Sequence, residues 1–246
     1  MSAMRLSERR ILVTGGSSGI GFAVAKALAP ENTVVIAGRD ERKLEVARAS
    51  ASRLQALRLD VTSEDDARRA IGWVEEELGG LDLLVNSAGV FGSGAFDEPG
   101  AERAAQADVE VNLLGSVRMT RLALPLLRRA DDGAVVLLSS ALALVSAPRM
   151  AVYAASKAAI HSLARSLRAE LEGQVKVFDV LPPWVESELS QAVAGAKITP
   201  DRVAAEIVAG LRKHRFEIRV GRIKQLAVIG RISPKLADSI AARATG

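Results

Sequence analysis

Residues 10–29, RILVTGGSSGIGFAVAKALA, decide the fold of this chain. Residues 10–15 form an apolar run that predicts a buried strand, and residues 20–29 have helical spacing that ends before Pro30. The glycine-rich stretch TGGSSGIG, residues 14–21, links the two. A strand that passes through a tight glycine turn into a helix is the first unit of an alternating β/α fold.

The same alternation continues along the chain. Further strands are predicted at 33–38, within 54–61, at 81–86, 133–140, within 174–182 and at 216–221. Helices are predicted at 40–54, from 63, at 101–130 with a bend at Pro125, at 152–172 and at 200–213, followed by a helical tail. Continuous apolar strands separated by helices favour a parallel sheet covered on both faces. We therefore predict one α/β domain over residues 1–246, doubly wound, with a mostly parallel sheet of about seven strands.

Composition narrows the classes of function. The chain has 246 residues, 49% of them hydrophobic, no cysteine and only two histidines, which excludes disulfides and argues against a metal site. The net charge of +4 comes from scattered basic residues, so we expect no nucleic-acid partner. The first ten residues are too polar for a signal peptide, and no apolar run approaches the roughly 18 residues of a membrane span. We expect a cytoplasmic protein with no membrane partner.

The glycine turn has the spacing Gly15-x-x-x-Gly19-x-Gly21. Gly15 allows the sharp turn, Gly19 lets the backbone approach a pyrophosphate, and Gly21 permits close packing of helix on strand. The free N–H groups and the dipole of the helix N-terminus favour a bound anion. The predicted phosphate-binding residues are Gly15, Ser17, Ser18, Gly19 and Ile20. The alternative is a purely structural turn.

This spacing resembles the TGxxxGxG motif of the short-chain dehydrogenase/reductase family, and the resemblance extends from about residue 9 to 190. It implies a Rossmann-type fold, a nicotinamide cofactor and a homodimer or homotetramer built on the long helices at 101–130 and 152–172. It also implies that Asp60 binds the adenine amino group beside Val61. In VNSAG, Asn86, Ala88 and Gly89 match the family's NNAG, with Ser87 in place of the second Asn.

The sequence YAASK places Tyr153 and Lys157 one turn apart on one helix face. A nearby ammonium is expected to lower the pKa of the tyrosine towards a useful range. Ser140, thirteen residues earlier at a strand end, completes the family's Ser–Tyr–Lys arrangement, and its rival Ser139 should face the other side of the strand. The alternative for YxxxK alone is a half-buried tyrosine beside an extended lysine.

Asn112 in VNLLG resembles the family's fourth catalytic residue, an Asn that holds a water linking the lysine to solvent. An Asn that satisfies a local helix kink is an alternative, and both can hold.

The run LPPWVESEL departs from the family's PG followed by Thr, because Pro183 replaces Gly and Ser187 replaces Thr. Pro182, Val185 and Ser187 are the predicted contacts to the nicotinamide carboxamide.

The end of the second strand, VVIAGRDERK, indicates which cofactor binds. NAD-preferring relatives have an acid where this chain has Gly38, and Arg39 can pair with a 2′-phosphate. Asp40 and Glu41 suit the first turn of a helix. We therefore predict NADP(H).

A short substrate lid is expected at about 184–199, with Trp184, Val185, Leu189 and Val193 as its apolar members. Leu142 is expected on the opposite wall. Arg149 is a candidate to bind an anionic group of the substrate, although exposure or a subunit contact is an alternative, and His161 is expected to be structural.

The leading hypothesis is an NADPH-dependent reductase of a ketone or aldehyde, or the reverse reaction. The alternative is an NADP(H)-binding regulatory protein without turnover.

Overall fold

The computed structural model describes residues 4–92, 96–191, 196–221, 223–233, 235 and 237–239. Its single sheet has seven strands in the order β3-β2-β1-β4-β5-β6-β7. The strands are β1 (Arg10–Thr14), β2 (Thr33–Gly38), β3 (Leu54–Arg58), β4 (Leu83–Asn86), β5 (Ala134–Leu138), β6 (Lys176–Leu181) and β7 (Glu217–Arg219). Every pairing is parallel, which confirms the predicted doubly wound α/β fold.

Helices cover both faces of this sheet. They are α1 (Gly19–Leu28), α2 (Glu41–Ser50), α3 (Glu64–Leu78), α4 (Ala101–Ala107), α5 (Ser116–Arg129), α6 (Ala151–Glu170), α7 (Pro200–Arg212) and α8 (Ile223–Ile232). Successive strand residues point to opposite faces. In β1, Ile11 and Val13 therefore join the core beneath α1 and α7, whereas Leu12 joins the core beneath α3, α5 and α6.

The helix predicted at 101–130 is interrupted before the proline at which a bend was predicted. Residues Asp108–Gly115 form a π-helical segment between α4 and α5, and Pro125 lies inside α5. At the junction of this segment with α5, the hydroxyl of Ser116 donates to the Asn112 carbonyl at 2.8 Å. Gly115 passes so close to Val61 that a Cβ there would lie 2.7 Å from a Val61 methyl group. Wide π turns of this kind are frequent at functional sites.

The strand order reverses at β1, which has β2 on one side and β4 on the other. Connections leave this point in opposite directions, so a crevice opens at the carboxyl ends of these strands, where ligands bind in open α/β sheets.

Candidate active site

A cleft of about 540 Å³ opens at this reversal point. Most of the predicted site residues border it: Gly15, Ser17, Ser18, Gly19, Ile20, Gly38, Arg39, Asp60, Val61, Ala88, Gly89, Tyr153, Lys157, Pro182, Ser187 and Leu189. The residues bordering it that were not predicted include Lys43, Val111 and Glu188, and Ser139, the rival that was set aside in favour of Ser140, borders it as well. They come from four separate parts of the chain, and each lies within four positions of a predicted site residue.

The glycine turn has the backbone geometry that only glycine adopts readily. Gly15 and Gly19 have φ of +64° and +54°. A Cβ on Gly15 would lie 2.7 Å from the Ala88 backbone, and one on Gly21 would lie 2.4 Å from the Gly15 carbonyl oxygen. The turn therefore brings the N-terminus of α1 directly against the loop that follows β4, with its N–H groups towards the cleft.

Thr14 holds that loop in place. Its hydroxyl oxygen accepts from the backbone N–H groups of Ser87 and Ala88, both at 3.2 Å. Asn86 was predicted among the cofactor residues, but it does not border the cleft. Its amide donates to the Thr120 hydroxyl at 3.0 Å, and its Oδ1 is buried without a partner. The anchoring of the loop thus comes from Thr14, one strand away.

At the end of β2 the cleft is lined by Gly38 and Arg39. The Asp40 carboxylate accepts from the Lys43 backbone N–H at 3.1 Å and caps α2, so it serves its own helix as predicted. Lys43 reaches across the cleft, and its ammonium lies 2.5 Å from the Glu188 carboxylate in the lid. At the end of β3, Asp60 accepts from the N–H and hydroxyl of Thr62 at 2.9 and 2.7 Å.

Ser139 and Ser140 point in different directions, as the alternation of a strand requires. The Ser139 hydroxyl turns away to the Asp179 carboxylate, 2.6 Å from its Oδ1. The Ser140 hydroxyl lies close enough to the Tyr153 phenol to lower the pKa of that phenol, although Ser140 itself does not border the main cleft. Ser140 also accepts from the Leu142 N–H at 3.1 Å. Of the two serines, Ser140 is the one in contact with Tyr153.

Tyr153 and Lys157 are both buried on α6. The Lys157 ammonium donates to the Leu138 carbonyl at 3.0 Å and lies 5.7 Å from the centre of the Tyr153 ring. Burial lowers the pKa of Lys157 to about 8. Burial also raises the pKa of Tyr153 well above its usual value, and the charge of Asp108 raises it further. The predicted lowering of the tyrosine pKa was therefore wrong, because desolvation of the phenolate outweighs the hydrogen bond from Ser140.

Two polar residues of the π-helical segment face this pair. Asn112 accepts from the Val90 N–H at 2.9 Å and donates to the Val90 carbonyl at 3.1 Å, so its side chain fixes the loop after β4. Asp108, which sequence reasoning missed, is 1% exposed and accepts from the Gly92 N–H at 3.0 Å. Burial raises the pKa of Asp108 to about 6. A titratable carboxyl thus lies beside the tyrosine and lysine.

The two ends of the predicted lid are joined to each other, and its Glu188 pairs with Lys43 of α2. Val185 and Ile198 form an isolated parallel β-bridge. Val185 is buried in the core and does not border the cleft, whereas Ser187 and Leu189 do. Val193 lies outside the described residues.

An aromatic cluster packs against the tyrosine. The Phe91 ring meets the Tyr153 ring edge-on at 4.9 Å and the Trp184 ring at 5.6 Å. Leu142 belongs to the same cluster. Leu142 and Trp184, both predicted to contact substrate, therefore lie beside the phenol, outside the wall of the main cleft.

Arg149 faces a different space. It borders a second cavity of about 180 Å³ together with Asp108 and Gly92. Its guanidinium pairs with Glu98 at 3.2 Å, and its side chain is 62% exposed.

His161, predicted to be structural, lies on α6 with its Nδ1 2.6 Å from Asp179. Within the described part of the chain, no helix has the length and apolar character needed to cross a membrane.

One family model and one curated relative each match about three quarters of this chain. A family model described as short chain dehydrogenase matches residues 9–197. The 11-beta-hydroxysteroid dehydrogenase 1A of Arabidopsis thaliana is 38% identical over 187 residues, which are 74% of this chain and 53% of that protein. This chain therefore spans about half the length of that curated relative.

Two solved structures share the whole fold. A short chain dehydrogenase from Burkholderia cenocepacia, solved in complex with NADP, superposes with a TM-score of 0.87 at 27% identity, covering 97% of this chain and 99% of that one. A short chain dehydrogenase/reductase from Burkholderia phymatum, solved in complex with NAD, has a TM-score of 0.84 at 23% identity, covering 95% and 96%. The second likeness shows the fold alone.

Proposed function

Because the chain belongs to the short-chain dehydrogenase family, we propose that it is an NADPH-dependent oxidoreductase that reduces a ketone or aldehyde to the alcohol, or catalyses the reverse reaction. One observation carries the proposal: Ser140 contacts Tyr153, and Tyr153 and Lys157 border the cleft that the glycine turn opens. A proton donor thus lies beside a phosphate-binding turn at the carboxyl edge of a parallel sheet.

The residues of the cleft fit a dinucleotide. The turn offers the free N–H groups of the α1 N-terminus, and no side chain could occupy Gly15 without striking the Ala88 backbone. Gly15, Ser17 and Gly19 would hold the pyrophosphate, and Asp60 would meet the adenine. When bound, the nicotinamide supplies hydride for reduction or accepts it in oxidation.

The remaining steps belong to side chains of this chain. Ser140 and Tyr153 hold the substrate oxygen by hydrogen bonds, and Tyr153 donates its proton to that oxygen during reduction. A pKa raised by burial keeps Tyr153 protonated, which suits a proton donor. The Lys157 charge stabilises the phenolate that forms, and its anchor on the Leu138 carbonyl fixes its distance from the ring. Asn112 holds the loop that closes this side of the site.

The proposed substrate is small to medium in size and partly apolar. The aromatic cluster of Phe91 and Trp184 beside Tyr153 presents apolar surface to any group attached to the reacting carbon. Asp108 and Arg149 border the second cavity behind it and offer polar contacts there.

The preference for NADP(H) rests on the end of β2. Arg39 borders the cleft, and the preceding residue, Gly38, has no carboxylate to repel a 2′-phosphate. The Burkholderia cenocepacia relative was solved with NADP, which supports the same choice. Steady-state kcat/KM for NADPH and for NADH measures it directly. A preference for NADH would refute this part of the proposal.

Replacing Tyr153 by Phe tests the catalytic role. Tyr153→Phe keeps the edge-on ring contact with Phe91 but removes the proton donor, so turnover should fall by about 1,000-fold. Cofactor affinity, followed by fluorescence quenching, should stay within about twofold. Normal activity of the variant on a substrate found by screening ketones and aldehydes with NADPH would contradict the mechanism. NADPH binding with no turnover of any carbonyl compound in the wild type would favour the regulatory alternative.

A further inference from the structure

Asp179 is a fully buried carboxylate whose two oxygens each have one side-chain partner. It lies on β6 with 0% of its surface exposed. The Nδ1 of His161 lies 2.6 Å from its Oδ2, and the Ser139 hydroxyl lies 2.6 Å from its Oδ1. Burying a carboxylate lowers the stability of the fold unless the group is paired and hydrogen-bonded. The contacts with His161 and Ser139 supply that pairing. The proposed reaction does not use it.

Asp179 and its two partners lie next to the backbone carbonyl that accepts from the Lys157 ammonium. Lys157 and His161 are four residues apart on α6, and therefore lie on one face of the helix. The Lys157 ammonium donates to the carbonyl of Leu138, the residue directly before Ser139. Leu138 stands opposite Val180 in the sheet, the neighbour of Asp179. The ammonium and the carboxylate are thus held by the same helix and the same two strand ends.

We propose that Asp179, held by His161 and Ser139, is a positioning residue that ties α6 to the end of β5 and so holds the Lys157 ammonium at the Leu138 carbonyl. Asp179 acts through Lys157 and does not touch the substrate. This inference deepens the proposed oxidoreductase function and rests on it for its biological meaning.

Charged groups from each packed element support this assignment. The pKa of Lys157 is lowered to about 8 by burial, and the carboxylates of Asp108 and Asp179 both oppose that lowering. The charge of Asp108 acts on the ammonium from the π-helical segment, and the charge of Asp179 acts on it from β6. The charge of Asp179 also acts on Arg168 of α6. The Arg168 guanidinium, however, donates to the carbonyls of Val177 and Phe216, both at 3.0 Å. Removing Asp179 therefore takes away one of the two negative charges that offset the effect of burial, so the pKa of Lys157 should fall further.

The direct test measures the titration of Lys157 without using activity. Protein labelled with ¹³C at lysine gives a side-chain signal for Lys157, assigned by its loss in Lys157→Arg. In Asp179→Asn the midpoint of this titration should move down by about one pH unit. The proton-donating activity at pH 8 should fall roughly fivefold, because a smaller share of Lys157 is charged. An unchanged midpoint would overturn the inference.

Asp82→Asn is the matched control. Asp82 is also buried and ion-paired, with Arg10 at 2.8 Å, but it lies at the opposite end of the sheet, before β4. Its variant should lose stability while leaving the Lys157 midpoint unchanged. An equal midpoint shift in both variants would mean that general loosening, not the Asp179 charge, sets the titration, and would refute the proposal.

A second variant covers the case in which Asp179→Asn does not fold. The double replacement of Asp179 by Val and His161 by Leu exchanges the pair for apolar side chains, a change that buried pairs often tolerate. It should lower the Lys157 midpoint by the same amount. A midpoint that falls as expected in a protein with no oxidoreductase activity would refute the proposed function and leave this inference standing.

Discussion

At the residue scale, Gly38 and Arg39 carry the proposed choice of cofactor. A Cβ on Gly38 would have its nearest neighbour, the Ser17 hydroxyl, at 3.5 Å, so a side chain can be accommodated there. In Gly38→Asp the new carboxylate would repel a 2′-phosphate and accept from free ribose hydroxyls. The ratio of kcat/KM for NADPH over NADH should fall by about 100-fold.

Arg42→Ser is the control for this experiment. Arg42 is an exposed cation on α2 that does not border the cleft. Its loss should leave the ratio within about twofold. A comparable fall in both variants would point to the overall charge of α2 and away from a contact at the strand end.

Asp108 gives a prediction on pH and stability. Its folded-state pKa, about 6, lies above the usual value of 3.8, so the native state holds this proton more tightly than the unfolded chain. The stability from Asp108 is therefore complete below about pH 4 and is lost as the pH rises through 6. Asp108→Asn cannot ionise but retains an acceptor for the Gly92 N–H. Relative to wild type, it should gain on the order of 2 kcal/mol between pH 4 and 7.5.

Urea unfolding followed by tryptophan fluorescence at several pH values measures that difference. A constant difference between the two proteins across this range would show that Asp108 does not titrate in the native state.

Two groups of predicted site residues lie close together in the sequence. Tyr153 and Lys157 are four residues apart, and the glycines of the turn lie within seven, so a local pattern is enough to place them. Asp179 meets Ser139 forty positions away, and Lys43 meets Glu188 across 145 positions. Such contacts depend on the packed sheet and leave no local pattern. The pKa of Tyr153 was misjudged for the same reason, because its burial depends on the tertiary structure.

At the element scale, the first β-α unit depends on space that only glycine leaves free. In Gly21→Ala the added methyl would lie 2.4 Å from the Gly15 carbonyl oxygen, so α1 must move from β1. We expect a loss of roughly 2–3 kcal/mol in the free energy of unfolding, together with weaker cofactor binding. Gly72→Ala in α3 has no atom within 4 Å of the new methyl and should add roughly 0.5–1 kcal/mol. Chemical denaturation of both variants gives the change in the free energy of unfolding for each. Destabilisation by both substitutions would contradict this account.

The long helix shows where element prediction stops. Periodicity predicted a helix over 101–130 and placed its irregularity at the proline. The structure has a further irregularity at Asp108–Gly115, where Asn112 bonds with Val90 and a Cβ on Gly115 would meet Val61. A proline in a helix removes one N–H donor, whereas a π turn here accompanies contacts with two other segments. Only the first of these causes is visible in the sequence.

At the scale of the whole molecule, the doubly wound topology was predictable because each strand–helix unit carries its own apolar period and because parallel crossovers have one handedness. The assembly was not predictable in this way. We expect a homodimer or homotetramer that uses the helices of 101–130 and 152–172, and α5 together with the π-helical segment exposes Leu114 and Val117. Light scattering coupled to size exclusion should give two or four times 25.9 kDa. A purely monomeric profile at micromolar concentration would contradict this expectation.

The β-bridge between Val185 and Ile198 has an evolutionary consequence. This bridge joins the two ends of the lid to each other, next to the buried core. The twelve residues between can change in length and sequence without altering the register of any strand, since closing a somewhat longer loop costs little. Selection can therefore change the residues of one surface loop, and with them the substrate preference proposed above, without disturbing the sheet or the glycine turn.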